Sequence, residues 1–297
     1  MAKIGIWLKE IRLPFLLLVP VSVLLGVSVA VWESVDINAV YLTLAFVGAL
    51  AAHIAVNVLN EYFDYKTGVD FKTVRTPFSG GSGMLTGGLL NARSAYKLGV
   101  ACLAVDIGIG GYFIYAHGAA IIPLGILGII TIYFYTTHLT KSPILCVIAP
   151  GLGFGPLMVM GTYFALTGGY SLAAGLVSLV PGFLVSNLLL LNQFPDVEAD
   201  ASANRRHLPI VIGRKGSSEV YAFLIVAAYV ALVVSVLAGE LPLMALFGLL
   251  TLPVGWMAVK GALKFYDQIE KLVPIMGQNV LLTLLFPLLM AIGIIVS

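Results

Sequence analysis

Two short motifs in this chain place oxygen-bearing side chains at a spacing that suits metal binding. The first contains Asn60 and Asp64, and the second contains Asp196 and Asp200. A spacing of four residues puts both side chains of a pair on one face of a helix, one turn apart. Carboxylates gathered closely repel each other unless a cation lies between them, and hard oxygen ligands suit Mg²⁺ together with phosphate oxygens. The predicted metal ligands are Asn60, Asp64, Asp196 and Asp200.

Both motifs share the pattern Leu-Asn-x-x-x-Asp, which starts at Leu59 in the first and at Leu191 in the second. Each motif follows a long apolar stretch, so the two form a weak internal repeat. A single motif of this kind is often no more than a set of polar residues at a helix end. Two matching motifs with basic residues nearby favour a functional site, in which the two clusters face each other across a helical bundle.

Basic residues follow each motif, and a metal surrounded by lysine and arginine is the environment that a diphosphate requires. Lys66, Lys72 and Arg75 follow the first motif, Arg205 and Arg206 follow the second, and Lys141 stands near an aromatic pair. Contact with lipid headgroups is the alternative role for any single one of these cations. The glycine-rich stretch 78–88 lacks the Gly-Lys-Ser/Thr of a Walker A loop, so it is either a mobile lid or a plain linker.

The composition indicates that these motifs are carried by a membrane protein. Of the 297 residues, 60% are hydrophobic and 10% are charged, whereas a soluble domain has about 25% charged residues. This balance excludes a soluble globule and a disordered chain. The net charge of +2 provides no basic surface for nucleic acid. Long apolar runs, rather than alternation at every second residue, favour helices over a β-barrel.

Counting apolar stretches predicts an all-α bundle of nine transmembrane helices. The chain is expected to form a single domain over residues 1–297, with a central cavity that opens to the cytoplasmic side and with long cytoplasmic loops at about 63–94 and 195–216. The predicted spans are 12–32, 38–62, 95–116, 118–137, 143–166, 171–194, 217–238, 241–260 and 273–296.

The basic residues predict the orientation of this bundle. With nine spans, all 16 Lys and Arg residues fall on one side of the membrane. Loops rich in Lys and Arg remain in the cytoplasm. We therefore expect a cytoplasmic N-terminus and a C-terminus outside, in a multi-pass protein of the cell membrane.

The motifs resemble those of the UbiA superfamily of intramembrane prenyltransferases, and the resemblance extends over the whole chain. The stretch from Tyr135 to Lys141 is similar to a third signature of that family. Gly68 stands where the family often has a further Asp, and the next acid is Asp70. This wider spacing and the segment 81–90 are similar to the menaquinone branch, whose acceptor is 1,4-dihydroxy-2-naphthoate.

The resemblance implies Mg²⁺-dependent transfer of a prenyl group from a polyprenyl diphosphate to an aromatic acceptor. We expect the bilayer to be the third partner, and we expect neither nucleic acid nor an obligate protein partner. Asp70, Glu198 and Asp106 remain alternatives for the base, and Asp70 also remains a possible metal ligand. The residues expected to act in catalysis are Asp64, Asp196 and Lys141, and those expected to bind the diphosphate are Lys72, Arg75, Lys141, Arg206, Tyr135 and Asn192.

Two other functions remain open from the sequence. The acceptor of a prenyltransferase can be 4-hydroxybenzoate or a glyceryl lipid instead of a naphthoate. Intramembrane polar residues and an internal repeat also suit an ion-coupled transporter. The depth of the site in the membrane distinguishes a transporter from a prenyltransferase. Transporter sites lie near the membrane midplane, whereas both motifs here are predicted at the ends of spans.

Overall fold

The structure, a computed structural model, describes residues 3–297, so the first two residues at the N-terminus lie outside it. Over this range the chain folds into helices joined by turns and loops, without a β-strand. The α-helices are α1 (Lys3–Glu10), α2 (Leu18–Trp32), α3 (Ala39–Thr67), α4 (Ala92–His117), α5 (Ile122–Phe134), α6 (Pro143–Leu152), α7 (Gly161–Thr167), α8 (Leu172–Asn192), α9 (Val197–Ser202), α10 (Leu208–Val211), α11 (Gly213–Leu237), α12 (Leu252–Phe265) and α13 (Ile269–Ile295).

Eight helical segments within the described range are long and apolar enough to cross a bilayer. Their positions match eight of the nine predicted spans to within a few residues at most ends. The remaining predicted span corresponds to a shorter apolar helix, Ala119–Phe134. The all-helical class is therefore confirmed, while the count of nine crossings stays a prediction.

Helix α3 continues past the predicted end of its span at residue 62. It begins at Asn38, whose side chain accepts hydrogen bonds from the Val40 and Tyr41 amides at 2.9 and 3.2 Å. It ends at Gly68, which has a φ of 79° and so takes the left-handed conformation that stops helices. Asn60 and Asp64 therefore lie in the last turns of a helix rather than at the start of a loop.

The second motif is divided between a turn and a short helix. Helix α8 ends at Asn192, and Asp196 is the residue that precedes α9. The Asp200 amide donates to the Asp196 carbonyl at 2.8 Å. The spacing of four thus spans the first turn of α9, and it keeps the two carboxylates close to each other.

Proline and glycine shape the segment from α6 to α7. Gly153–Met160 is a π-helix that carries Pro156, whose missing N–H disrupts the regular α-helical ladder. A Cβ atom on Gly151 would lie 2.1 Å from the Gly182 carbonyl oxygen on α8. Only glycine therefore allows these two helices to approach so closely, as small residues commonly do in membrane bundles.

The two halves of the bundle are packed differently. The largest buried core lies among α2, α8, α11, α12 and α13, with Leu184, Tyr221 and Phe286 fully buried. Helices α3, α4 and α5 instead expose many apolar side chains and surround an internal space. The bundle thus combines a solid half with a hollow half.

Candidate active site

A cavity of about 530 Å³ occupies the hollow half of the bundle. Its walls are α3, α4, α5, the segment Pro143–Thr167 and α8. Along α3 it extends from Asn60 to Ala45, fifteen residues or about 22 Å at the rise of an α-helix. Nearly all of this surface is apolar, and most polar lining residues are concentrated at the Asn60 end. The polar residues of that end are Arg12, Asn57, Asn60, Tyr135 and Asn192.

The two motifs meet beside this polar end, and Arg205 joins them. Its Nη1 lies 2.9 Å from Oδ1 of Asp200, and its Nη2 contacts Oδ1 of Asp64. The side chains of Asp64 and Asp200 are almost completely buried. One guanidinium thus contacts one carboxylate from each motif, which brings together residues 136 positions apart in the chain.

Asn60 and His207 each make a further polar contact with one of these carboxylates, Asn60 with Asp64 and His207 with Asp200. The Asn60 amide donates to Oδ2 of Asp64 and to the Thr136 hydroxyl, both at 3.1 Å. The His207 Nδ1 lies 2.9 Å from Oδ2 of Asp200. Burial lowers the pKa of His207, but the interactions with Asp200 and Cys146 together outweigh burial and raise this pKa to about 9. His207 is therefore protonated at neutral pH.

Two further acids of the site have raised pKa values. Burial raises the pKa of Asp70 to about 8, with Asp64 and Glu61 adding to the effect. Burial also raises the pKa of Asp196 to about 7, and the charge of Asp200 acts in the same direction. Together with Glu61, Asp64 and Asp200, these two acids form a group of five carboxylic side chains, which we call the acidic cluster. Its members are Glu61, Asp64, Asp70, Asp196 and Asp200.

The glycine-rich stretch 78–88 is anchored to the acidic cluster. The Ser82 amide donates to both carboxylate oxygens of Glu61, at 2.9 and 3.0 Å. The Ser82 hydroxyl lies 2.9 Å from both Glu61 and the buried Glu10. Arg12 pairs with Glu61 at 2.7 Å from the other side. The stretch is therefore a folded cover over the end of α3 in this structure.

The predicted basic residues take positions around the site rather than inside it. The side chains of Lys141 and Arg206 are exposed and form no ion pair within the described range. Lys72 donates to the Ser202 hydroxyl at 3.1 Å, and Arg75 contacts Thr86. The arginine that reaches the acids is Arg205, the direct neighbour of the predicted Arg206.

The structure separates the three candidates for the base. Glu198 is exposed and pairs with Arg214 at 2.9 Å. Asp106 lines the cavity and faces Gly48, twelve residues from Asn60 along α3, or about 18 Å. Asp70 is itself a member of the acidic cluster. Distance along α3 therefore separates Asp106 from a group bound at Asn60, and Asp70 stays the candidate base within the cluster.

Tyr135 and Asn192 both line the polar end of the cavity, and their role in binding the diphosphate stays a prediction. Sequence reasoning missed Arg12, Glu61 and His207 as members of the site, and it expected Arg206 rather than its neighbour Arg205 to bind the diphosphate. Arg12 opens the first span and was counted only for topology, although it precedes an apolar run as a lone arginine. Glu61 lies between the two residues of the first motif, and this adjacency was a usable signal.

A divalent cation fits the chemistry of these residues. No three His, Cys, Asp or Glu side chains in residues 3–297 form a closed metal cage. Mg²⁺ does not require one, since it binds through one or two carboxylates together with phosphate oxygens. Oδ1 of Asp196 is buried without a hydrogen-bond partner, and Asp64 and Asp200 already face one shared cation. Asn60, Asp64, Asp196 and Asp200 are therefore suitable donors.

Residues 18–295 match the profile of the UbiA prenyltransferase family. The chain belongs to the UbiA prenyltransferase family. It is therefore a prenyltransferase, and its apolar helices together with this family make it an integral membrane protein. The resemblance that the two motifs indicated is confirmed.

Two curated UbiA relatives carry the same name. A 1,4-dihydroxy-2-naphthoate octaprenyltransferase of Bacillus subtilis (strain 168) is 27% identical over 93% of this chain and 88% of its own length. An enzyme of the same name from Haemophilus influenzae is 24% identical over 99% of this chain and 97% of its own length.

Solved structures of UbiA proteins share the fold. A digeranylgeranylglyceryl phosphate synthase superposes with a TM-score of 0.67 over all of both chains, at 17% identity. A UbiA homologue from Archaeoglobus fulgidus bound to GPP and Mg²⁺ has a TM-score of 0.63 at 15% identity, over 98% of this chain and 100% of the other. These neighbours establish the helical architecture of the bundle.

Proposed function

We propose that this enzyme transfers a prenyl group from a polyprenyl diphosphate to 1,4-dihydroxy-2-naphthoate in a Mg²⁺-dependent reaction. One observation carries the proposal. The acidic cluster stands at the polar end of an apolar cavity about 22 Å long. A group of charged side chains at one end of an apolar cavity matches a donor whose charged diphosphate is attached to an apolar isoprenoid tail.

The residues suggest how the allylic C–O bond breaks. Asn60, Asp64, Asp196 and Asp200 would hold Mg²⁺, which would take up negative charge as the diphosphate leaves. Tyr135 and Asn192, with Arg205, would bind the remaining oxygens of the diphosphate. The apolar walls exclude water, which would otherwise quench the allylic cation. An electron-rich ring carbon then forms the new C–C bond, and the ring regains aromaticity by losing a proton or its carboxyl group as CO₂.

The naphthoate acceptor is supported by the relatives and by the sequence between the motifs. Two relatives that cover most of the chain are named as naphthoate octaprenyltransferases. Asp70 replaces the acid that the family often has at the position of Gly68. We place the mouth of the cavity on the cytoplasmic side, because all Lys and Arg residues fall on the predicted cytoplasmic face.

A transfer assay tests this proposal. The protein in liposomes would receive a radiolabelled polyprenyl diphosphate and a panel of acceptors, with Mg²⁺ or with a chelator. We expect Mg²⁺-dependent labelling of the naphthoate. Labelling of 4-hydroxybenzoate or of a glyceryl phosphate instead would overturn the acceptor and keep the reaction. A protein that is folded but labels no acceptor with any donor would overturn the reaction itself.

A further inference from the structure

Arg205 is the one guanidinium that contacts both motifs in the described part of the chain. Its two terminal nitrogens face Oδ1 of Asp200 and Oδ1 of Asp64, and its side chain is only 11% exposed. These are oxygen atoms of the same carboxylates that are suited to bind a metal. A metal ion bound to the same oxygens would bring its positive charge against this guanidinium and repel it.

The backbone presents Arg205 to the acids in a defined way. Asn204 has a φ of 57°, which turns the chain sharply after α9. The Arg205 amide donates to the Asp200 carbonyl at 3.2 Å, and the Arg206 amide donates to the Thr140 carbonyl at 3.1 Å. These bonds point Arg205 inward and leave the Arg206 side chain outside. Arg205 is thus part of the second motif in space.

We propose that Arg205 takes the place of the metal in the substrate-free enzyme and moves its hydrogen bonds to the diphosphate when metal and diphosphate bind together. The proposal deepens the proposed function and rests on it. Its physical basis is the cost of leaving charges unpaired. Asp64 and Asp200 are both buried, and two buried carboxylates without a cation repel each other and lose their solvation.

This exchange makes the binding of metal depend on the diphosphate. Metal alone would have to displace a buried guanidinium and leave it without a partner, which is costly. A metal–diphosphate pair supplies both a cation for the acids and a bidentate acceptor for the freed Arg205. The two ligands therefore bind cooperatively, with Arg205 as the element that couples them.

Thermal unfolding of the purified protein in detergent tests the exchange without a turnover assay. Each variant would be measured in a chelator, with Mg²⁺ alone, and with Mg²⁺ plus inorganic diphosphate. We expect the wild-type Tm to stay unchanged with Mg²⁺ alone and to rise when both ligands are present. In Arg205→Gln we expect the Tm in the chelator to fall by roughly 5 °C or more, because the acids are left unpaired. Mg²⁺ alone should then restore it.

Calorimetric titration gives a second readout. Arg205→Gln should bind Mg²⁺ in the absence of diphosphate at least tenfold more tightly than the wild type does. Arg93→Gln is the matched control, since it removes the same charge from an exposed side chain at the start of α4, and it should behave as wild type. The double variant Asp64→Asn with Arg205→Gln should regain Tm in the chelator, because one of the two repelling charges is gone.

The outcomes separate the two proposals. Equal Mg²⁺ affinity in wild type and Arg205→Gln, or a wild-type Tm that rises fully with Mg²⁺ alone, would overturn the exchange and leave the proposed function intact. A wild type that responds to neither ligand combination would overturn the proposed function as well. If Arg205→Gln does not fold, Arg205→Lys carries the same test, since one ammonium cannot bridge both acids and the same shifts should appear in smaller size.

Discussion

At the scale of single residues, carboxylates beside the polar end of the cavity outnumber the guanidiniums that contact them. Five acids lie there, whereas Arg12 and Arg205 are the arginines in contact with them. Burial and mutual repulsion raise the pKa values of Asp70 and Asp196, so these groups hold protons more tightly than usual. A cation bound among these acids would therefore relieve their mutual repulsion.

Replacing one acid of each motif should remove transfer activity. We expect Asp64→Asn and Asp196→Asn each to lower kcat/KM by at least about 100-fold, because stabilisation of the leaving diphosphate is lost. Asp36→Asn, at an exposed loop position, serves as the control. Steady-state transfer in liposomes provides the measurement. Activity within threefold of wild type in either motif variant would contradict the assignment.

Glu10 should make stability depend on pH. Burial raises its pKa to about 7 from an ordinary 4.5, and Glu61 adds to the effect. The folded state therefore binds this proton more tightly than the unfolded state. Its contribution to stability is complete below pH 4.5 and is lost as the pH rises through about 7.

The Tm of the wild type should thus fall by several degrees between pH 5 and 8. Asp70 and Asp196 act in the same direction, so Glu10→Gln should reduce the slope without abolishing it. Glu270→Gln, at an exposed position, should keep the full slope. Differential scanning fluorimetry across this range gives the comparison, and an unchanged slope in Glu10→Gln would exclude the role assigned to it.

At the scale of elements, the C-terminal end of α3 positions both the acids of the first motif and the glycine-rich stretch. The last turns of α3 carry Asn60, Glu61 and Asp64. Glu61 anchors the glycine-rich cover through Ser82 and also pairs with Arg12. A helix that begins at an Asn cap and ends at a left-handed glycine thus positions both the acids and their cover.

Removing the anchor should loosen the cover. In Glu61→Ala, the Ser82 amide loses its acceptor, and we expect peptides covering residues 79–88 to exchange amide hydrogen at least tenfold faster. Glu219→Ala, an exposed position on α11, should leave this exchange unchanged. Hydrogen-exchange mass spectrometry reads the difference. Equal exchange in Glu61→Ala and wild type would show that other contacts hold the cover.

Sequence reasoning was reliable where local geometry decides the outcome. Helical spacing alone placed Asn60 beside Asp64, and apolar run length located the long helices. The choice between Arg205 and Arg206 was out of reach, because it depends on the positive φ of Asn204 and on a bond to Thr140 in a distant turn. Such contacts between segments far apart in the chain leave no periodic signal.

At the scale of the whole molecule, the length of the cavity in the hollow half predicts which prenyl tails fit. An extended chain advances about 3.5 Å for every three backbone bonds, so a four-bond isoprene unit spans roughly 4.5 Å. The distance of about 18 Å along α3 from Asn60 to Gly48 thus accommodates about four units. A longer tail must pass Gly48 and Asp106, which line the cavity side by side.

A bulky side chain at Gly48 should therefore select short donors. We expect Gly48→Phe to keep farnesyl transfer within about threefold and to lower octaprenyl transfer at least tenfold, because the ring fills the far part of the cavity. Val100→Phe adds the same ring at an exposed position of α4 and should change neither. Competition between the two donors, followed by mass spectrometry of the products, gives the ratio. An unchanged ratio in Gly48→Phe would place the tail elsewhere.

The cavity wall formed by α4 and α5 has a consequence for the rate at which the isoprenoid donor is captured. Ile107, Ile114, Ile122 and Ile126 line the cavity and are exposed. A tail in this slot is continuous with the surrounding acyl chains. The quantity that sets the rate of capture is therefore the mole fraction of isoprenoid in the lipid phase, not its bulk molarity. Adding inert phospholipid at constant enzyme and donor should slow turnover by surface dilution alone.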